Sequence, residues 1–158
     1  MTRTIEHADI IDIREITDRV DELRDELQTA MDENEEGHDF ETLEEYRAAV
    51  RKDVSAAHCH KLYEEERELT ELEDILDELR GCGGDHQWEG DWYPLMLIAD
   101  DHFQDFAQQE AEDCGLIDSS AKWPHTCIDW ERAARELRMD YSAVSVTIDG
   151  DIREYWYR

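Results

Sequence analysis

Asp12-Ile13-Arg14-Glu15-Ile16-Thr17-Asp18-Arg19-Val20-Asp21-Glu22-Leu23-Arg24-Asp25-Glu26-Leu27-Gln28-Thr29-Ala30-Met31 sets the architecture of the first half of this chain. Ile16, Val20, Leu23, Leu27 and Met31 fall at intervals of three and four, the spacing that gathers side chains on one face of an α-helix. The positions between them are mostly charged, so one face is built for a core and the other for water. The spacing predicts a helix over about Asp12–Met31, with Asp9 or Asp12 placed to accept from its first amides.

Beyond it, Asn34-Glu35-Glu36-Gly37-His38 reads as a turn. Helical spacing resumes from about Glu41 to Arg80 through Leu43, Tyr46, Val50, Ala57, Leu62, Leu69, Leu72, Leu76 and Leu79. The apolar face thins around Ser55–His60, which is compatible with one long helix or two. Gly81, Gly83 and Gly84 stop the pattern. Helices joined by a short turn pack antiparallel, so residues 1–80 are expected to form an acidic antiparallel helical hairpin.

Residues 81–158 have a different texture and hold all five tryptophans. Trp92-Tyr93-Pro94-Leu95-Met96-Leu97-Ile98 suggests a strand or buried extended segment. A helix follows from Asp100 or Asp101, with Phe103, Phe106, Ala107 and Ala111 inward and Gly115 closing it. Trp123-Pro124 marks an extended loop. Asp129 is positioned as the N-cap of a helix from Trp130 to Arg138, with Ala133, Ala134 and Leu137 toward the core. Val144, Val146 and Ile148 then alternate with polar residues, and Asp149-Gly150 signals a hairpin returning through Ile152–Tyr157. The expected fold class is α+β: an N-terminal antiparallel helical hairpin, then a small α+β lobe ending in a β-hairpin.

The charge constrains partners more than the fold does. The 158 residues carry 44 acidic and 16 basic side chains, a formal charge of −28. That sign opposes direct binding to DNA or to anionic lipid and favours basic partners. No apolar run is long enough to span a bilayer. Met1-Thr2-Arg3-Thr4 leads into acidic sequence without a signal-peptide core, and Cys59, Cys82, Cys114 and Cys127 are too scattered for a disulfide framework. A cytoplasmic location is expected.

Candidate chemistry is sparse. His58-Cys59-His60, Cys82 with His86, Cys114, and His125 with Cys127 are zinc-ligand types, but no close Cys-x-x-Cys pair is present and packing is the better reading. Cys114 is expected on the inner face of its helix as a buried thiol. Gly81-Cys82-Gly83-Gly84 lacks the lysine of a phosphate loop, and no nucleophile elbow or dinucleotide fingerprint occurs. With so many acids, a pair of carboxylates is no evidence of acid–base catalysis. No enzyme, metal or cofactor is expected.

The acidic faces remain. Asp21, Glu22, Asp25, Glu26, Asp32, Glu33, Glu64 and Glu65 put carboxylates on outer helix faces. Solvation or adaptation to high salt is the plain reading, and scarce lysine beside thirteen arginines suits it. The sharper reading is imitation of DNA: duplex DNA carries one charge per ~1.7 Å, and a helix rises ~1.5 Å per residue.

Phe103-x-x-Phe106-Ala107, Ala111-Glu112-Asp113-Cys114-Gly115, Ile128-Asp129-Trp130-Glu131-Arg132-Ala133-Ala134-Arg135-Glu136-Leu137 and Asp140-Tyr141, with the closing strands, resemble the end of ArdA-type antirestriction proteins. They also look like acidic proteins of phages and mobile elements. The resemblance covers about residues 95–158. It implies a dimeric DNA mimic that occupies the DNA site of type I restriction–modification enzymes, with Glu112, Asp113, Asp129, Glu131, Glu136 and Asp140 as the matching acids. Asp129 already has a structural role as a helix cap and is set aside as a contact.

The expectation is therefore a counter-defence protein that occludes the nucleic-acid groove of a restriction or CRISPR-type complex, with a homodimer as a candidate assembly. Its partner-binding residues would be the eight helical acids above together with Glu112, Asp113, Glu131, Glu136 and Asp140. Trp88, Trp92 and Tyr93 are candidate apolar anchors, though core packing is the better reading for most of them. The alternative is a helical adaptor or regulatory protein that pairs its apolar stripe with itself or with another chain.

Overall fold

A computed structural model describes residues 4–33, 40–52, 60–83, 91–118, 120 and 122–158. The expected turn at 34–38 and His58, Cys59, His86 and Trp88 lie outside these residues. The architecture is α+β, as the sequence predicts, with two compact units that interleave along the chain. Unit 1 comprises Met1–Glu6, Arg14–Leu79 and Thr147–Asp151, and unit 2 comprises His7–Ile13, Arg80–Val146 and Ile152–Arg158.

Among the described residues, unit 1 is built on three helices. Helix α1, Ile13–Glu33, buries Ile16, Val20, Leu23, Leu27 and Met31, the stripe read from the sequence, and Ile13 besides. Helix α2, Leu43–Lys52, starts where Thr42 accepts from the Glu45 amide at 3.2 Å while the Glu45 carboxylate accepts from the Glu41 amide at 3.1 Å. The Thr42 hydroxyl thus satisfies a donor that a helix start leaves open, and the Glu45 carboxylate holds the residue before the cap. Tyr46 is its buried anchor, edge-on to Phe40. Helix α3, His60–Leu79, buries Leu62, Leu69, Leu72, Ile75, Leu76 and Leu79. Each such aliphatic side chain contributes ~1.5–3 kcal/mol of transfer free energy on burial.

Ion pairs reveal the helix directions. Arg19 binds Glu68 and Arg24 binds Glu73, so an advance of five residues on α1 matches five on α3. Five residues span ~7.5 Å, and opposite directions would separate the second pair by about twice that, so α1 and α3 run parallel. Gln28 accepts from the Leu43 amide at 3.4 Å, and Arg24 and Arg47 share Glu73, which makes α2 antiparallel to α1. The antiparallel hairpin of the sequence reading is thus α1–α2. The 41–80 pattern holds two helices, and the second turns back alongside α1.

The described residues form a four-stranded antiparallel sheet, ordered β1-β2-β4-β3, whose strands belong to unit 2 apart from the hairpin tip Thr147–Asp151. Strand β1, Ile10–Asp12, pairs Ile10 with Ile98 and Ile11 with Leu97 of β2, Met96–Ala99. In β4, Asp151–Tyr157, Trp156 pairs with Ile98 and Tyr155 with Ala99. Strand β3, Ser142–Ile148, buries Val144, Val146 and Ile148 in the expected alternation. Asp149 and Gly150 turn at φ 53° and 81°, the left-handed pair that a two-residue hairpin needs.

A 3-10 turn, Asp100–His102, leads into helix α4, Phe103–Asp113, and Asp129 accepts from the Arg132 amide at 3.1 Å to cap helix α5, Trp130–Leu137. Ile98, Phe103, Ala107 and Ala134 form a cluster flanked by Phe106, Leu137, Tyr141 and Trp156. The Arg138 guanidinium lies 5.0 Å from the Phe103 ring centroid. Arg153 ties the N-terminal segment down, donating to the His7 and Ala8 carbonyls and to Asp9 at 2.9 Å and Asp101 at 2.6 Å.

Three local expectations are narrowed or corrected. Of the two cap candidates for α1, Asp9 serves Arg153 across the strand Ile10–Asp12, while Asp12 immediately precedes the helix. Cys114 is exposed, because α4 ends at Asp113 and Gly115, at φ 70°, turns the chain away. Trp123-Pro124 is a cis peptide leading into a 3-10 turn at His125–Cys127, where an extended loop was expected.

Candidate functional site

On α1 the apolar positions and Arg19 turn inward, which leaves Asp18, Asp21, Glu22, Asp25, Glu26, Asp32 and Glu33 exposed. On α3, Glu64 is exposed and Glu65 half-buried near the start, and Asp74, Asp77 and Glu78 are exposed in the last two turns. Glu44 and Glu45 continue the acidic surface on α2. Eight carboxylates lie on α1 over its 21 residues, one per ~4 Å of axis. Along one strand of B-DNA the charges are spaced ~3.4 Å. Because α1 and α3 run parallel, the five outward acids of α3 form a second, sparser row in the same direction, one per ~6 Å of axis.

Arginines divide these acids into two groups. Arg19, 3% exposed, meets Glu68 through two bonds of 2.9 and 3.0 Å, with Glu22 at 3.5 Å and Glu26 at 3.8 Å. The hydrogen bonds that Arg19 donates to Glu68 raise its pKa against the opposing effect of burial. Arg24 bonds Glu73 at 2.8 Å and lies 3.7 Å from Asp21. Arg47 reaches Glu66 at 3.1 Å, Thr70 at 3.2 Å and Glu73 at 2.5 Å. Burial pushes the Glu73 carboxyl up, yet bonds from Arg47 and Arg24 outweigh it and hold the group below its ordinary value.

Glu22, Glu26 and Asp21 are therefore partly neutralised from within. Asp32 accepts from the neutral Gln28 amide at 2.9 Å, and Asp32, Asp25 and Glu33 make no ion pair among the described residues. An open groove of about 640 Å³ runs beside Asp25, with Gln28, Glu44, Arg24, Arg47 and Glu73 on its walls. The arginine ladder is what sequence reasoning missed. Its signal is the placement of Arg19, Arg24 and Arg47 on helix flanks next to the apolar stripe.

The unit 2 acids are dispersed along local structure. Glu112 is half-buried, and Asp113 accepts from Gln109 at 2.9 Å. Glu131 pairs with Arg135 and Glu136 with Arg132, both at 3.1 Å, while Asp140 is exposed. The structure thus gathers the α1 and α3 acids on the helices of unit 1 and assigns Glu131 and Glu136 to pairs within α5.

Of the aromatic candidates, Tyr93 is buried, with its hydroxyl 3.4 Å from Asp91, and Trp92 is 51% exposed. Cys82 is half-buried and Cys127 exposed, and no group of His, Cys, Asp and Glu among the described residues is arranged to hold a metal. No described helix is long and apolar enough to cross a membrane. The α1 stripe is fully buried within the chain, so pairing it with another helix would require opening unit 1. No family model, no curated protein and no solved structure matches this chain.

Proposed function

We propose that this protein is an acidic DNA mimic that occludes the nucleic-acid groove of a host-defence complex of the restriction or CRISPR type. The observation that carries the reading is the outward acidic row on α1, near the charge spacing of a DNA strand, with a sparser parallel row on α3. Inward arginines fix the helices and neutralise the inner carboxylates, which leaves Asp25, Asp32 and Glu33 to meet arginine and lysine in charge-assisted pairs. The resemblance of residues 95–158 to antirestriction proteins supports the same reading. Competition with DNA for a basic groove needs no catalytic group, and the acidic field accelerates encounter with such a groove.

The test is inhibition of DNA binding by purified type I restriction and CRISPR complexes. Replacing Asp25, Asp32 and Glu33 by lysine reverses three contacts. At ~1 kcal/mol per solvated pair, inhibition should weaken by about 100-fold while the helical circular dichroism is kept. Full inhibition by that variant would sink the mimicry reading.

A further inference from the structure

The sheet of unit 2 ends in an open edge at β3, the outer strand of the order β1-β2-β4-β3. The two-residue turn at Asp149-Gly150 sets the β3–β4 register, placing Ser145 opposite Glu154 and Val144 opposite Tyr155. The cross-strand hydrogen bond from the Ser145 hydroxyl to Glu154 agrees with that register. Pairs next to such a turn are hydrogen-bonded and the pattern then alternates, so Val144 and Val146 direct their backbone groups to β4. Ala143 and Ser145 direct theirs outward, where no partner meets them among the described residues.

Natural sheets protect such an edge with lysine, proline, a bulge or an inward charge. Ser142-Ala143-Val144-Ser145-Val146 has none of these and is uncharged within a chain of formal charge −28. Val144 and Val146 are buried on one face, while Ala143, Ser145 and Glu154 are exposed on the other. Asp140, also exposed, lies two residues before the strand.

We propose that the β3 edge takes up an extended segment of a basic partner, in which basic side chains alternate with apolar ones. Charge selects the occupant. A second copy would bring a strand flanked by the same acids, whereas a basic side chain opposite Ser145 shares the face of Glu154. The apolar side chains of the segment continue the Val144–Val146 face, and backbone bonds at Ala143 and Ser145 supply affinity that salt screens little. This inference stands on the sheet alone and is independent of the acidic rows of unit 1.

The probe is an acetylated, amidated heptapeptide, Val-Arg-Val-Arg-Val-Arg-Val, titrated into the full chain labelled with 15N. The arginines face the side of Ser145, so their amides point to the β3 edge. Amide shifts should centre on Ser142–Val146, with slowed exchange at Ala143 and Ser145. N-methylation of the arginine amides should weaken binding more than about tenfold, and N-methylation of the valine amides should change it less than about twofold. Equal binding by the two methylated peptides would assign the interaction to charge alone and overturn the proposal. An absence of shifts at Ala143 and Ser145, or dimerisation through β3 without peptide, would overturn it as well.

Discussion

Replacing Arg19 by methionine removes the cation that holds α1 against α3. The side chain is 3% exposed and grips Glu68 through two bonds, while Glu68 retains 25% exposure. Deleting one partner of a buried ion pair costs ~3–5 kcal/mol because the other charge is stranded. Water can reach Glu68, which brings the expectation to about 2–3 kcal/mol. With a urea dependence of ~2 kcal/mol per molar, the midpoint should fall by about 1–1.5 M. Circular dichroism at 222 nm is the suitable probe, since every tryptophan lies at or beyond Trp88 and reports unit 2. Repeating the titration in ~1 M salt, where the Debye length is ~3 Å, removes the added self-repulsion of the lost positive charge. The double replacement Arg19→Met with Glu68→Met strands no charge and should recover to within ~1 kcal/mol of the parent. A single variant whose midpoint moves by less than about 0.3 M, or a double variant no better than the single, would refute the clamp.

Glu73 predicts a pH dependence of definite sign. Its folded pKa is depressed from an ordinary value of 4.5, so its stabilisation is complete above that value and is lost as pH falls through the lower folded one. Urea midpoints of Glu73→Gln should therefore converge on those of the parent under acid, and curves that stay parallel would contradict the Arg24–Glu73–Arg47 assignment. Gly83→Ala should destabilise unit 2 by ~1–3 kcal/mol in chemical denaturation followed by tryptophan fluorescence, because the new Cβ would lie 2.6 Å from the Trp92 carbonyl oxygen. Asp129→Ala should cost ~1 kcal/mol through loss of the α5 cap, read in the same assay, and should leave inhibition of a target complex unchanged.

Elements carried by local pattern were legible in the sequence. The α1 stripe, the Asp129 cap, the Gly81 stop at φ 77° and the Asp149-Gly150 hairpin depend on neighbours a few residues away, and each stands where its spacing put it. Strand β1 was not legible, since three residues have no period of their own and become a strand only by pairing with Met96–Ile98. The parallel course of α1 and α3 rests on pairs 49 residues apart, Arg19 with Glu68 and Arg24 with Glu73, which no local spacing announces. The acidic face was legible as a face. Which acids an inward arginine neutralises depended on those same distant pairs, so Glu22 and Asp25 read alike in the sequence and differ in the fold.

The most direct test immobilises the chain, passes bacterial lysate over it and elutes along a salt gradient, with duplex DNA as competitor. DNA mimicry predicts that a DNA-binding defence complex is retained at low salt, leaves steeply as salt rises and is displaced by duplex DNA. Retention of nothing that DNA displaces would contradict mimicry and leave the carboxylates as a solvated surface.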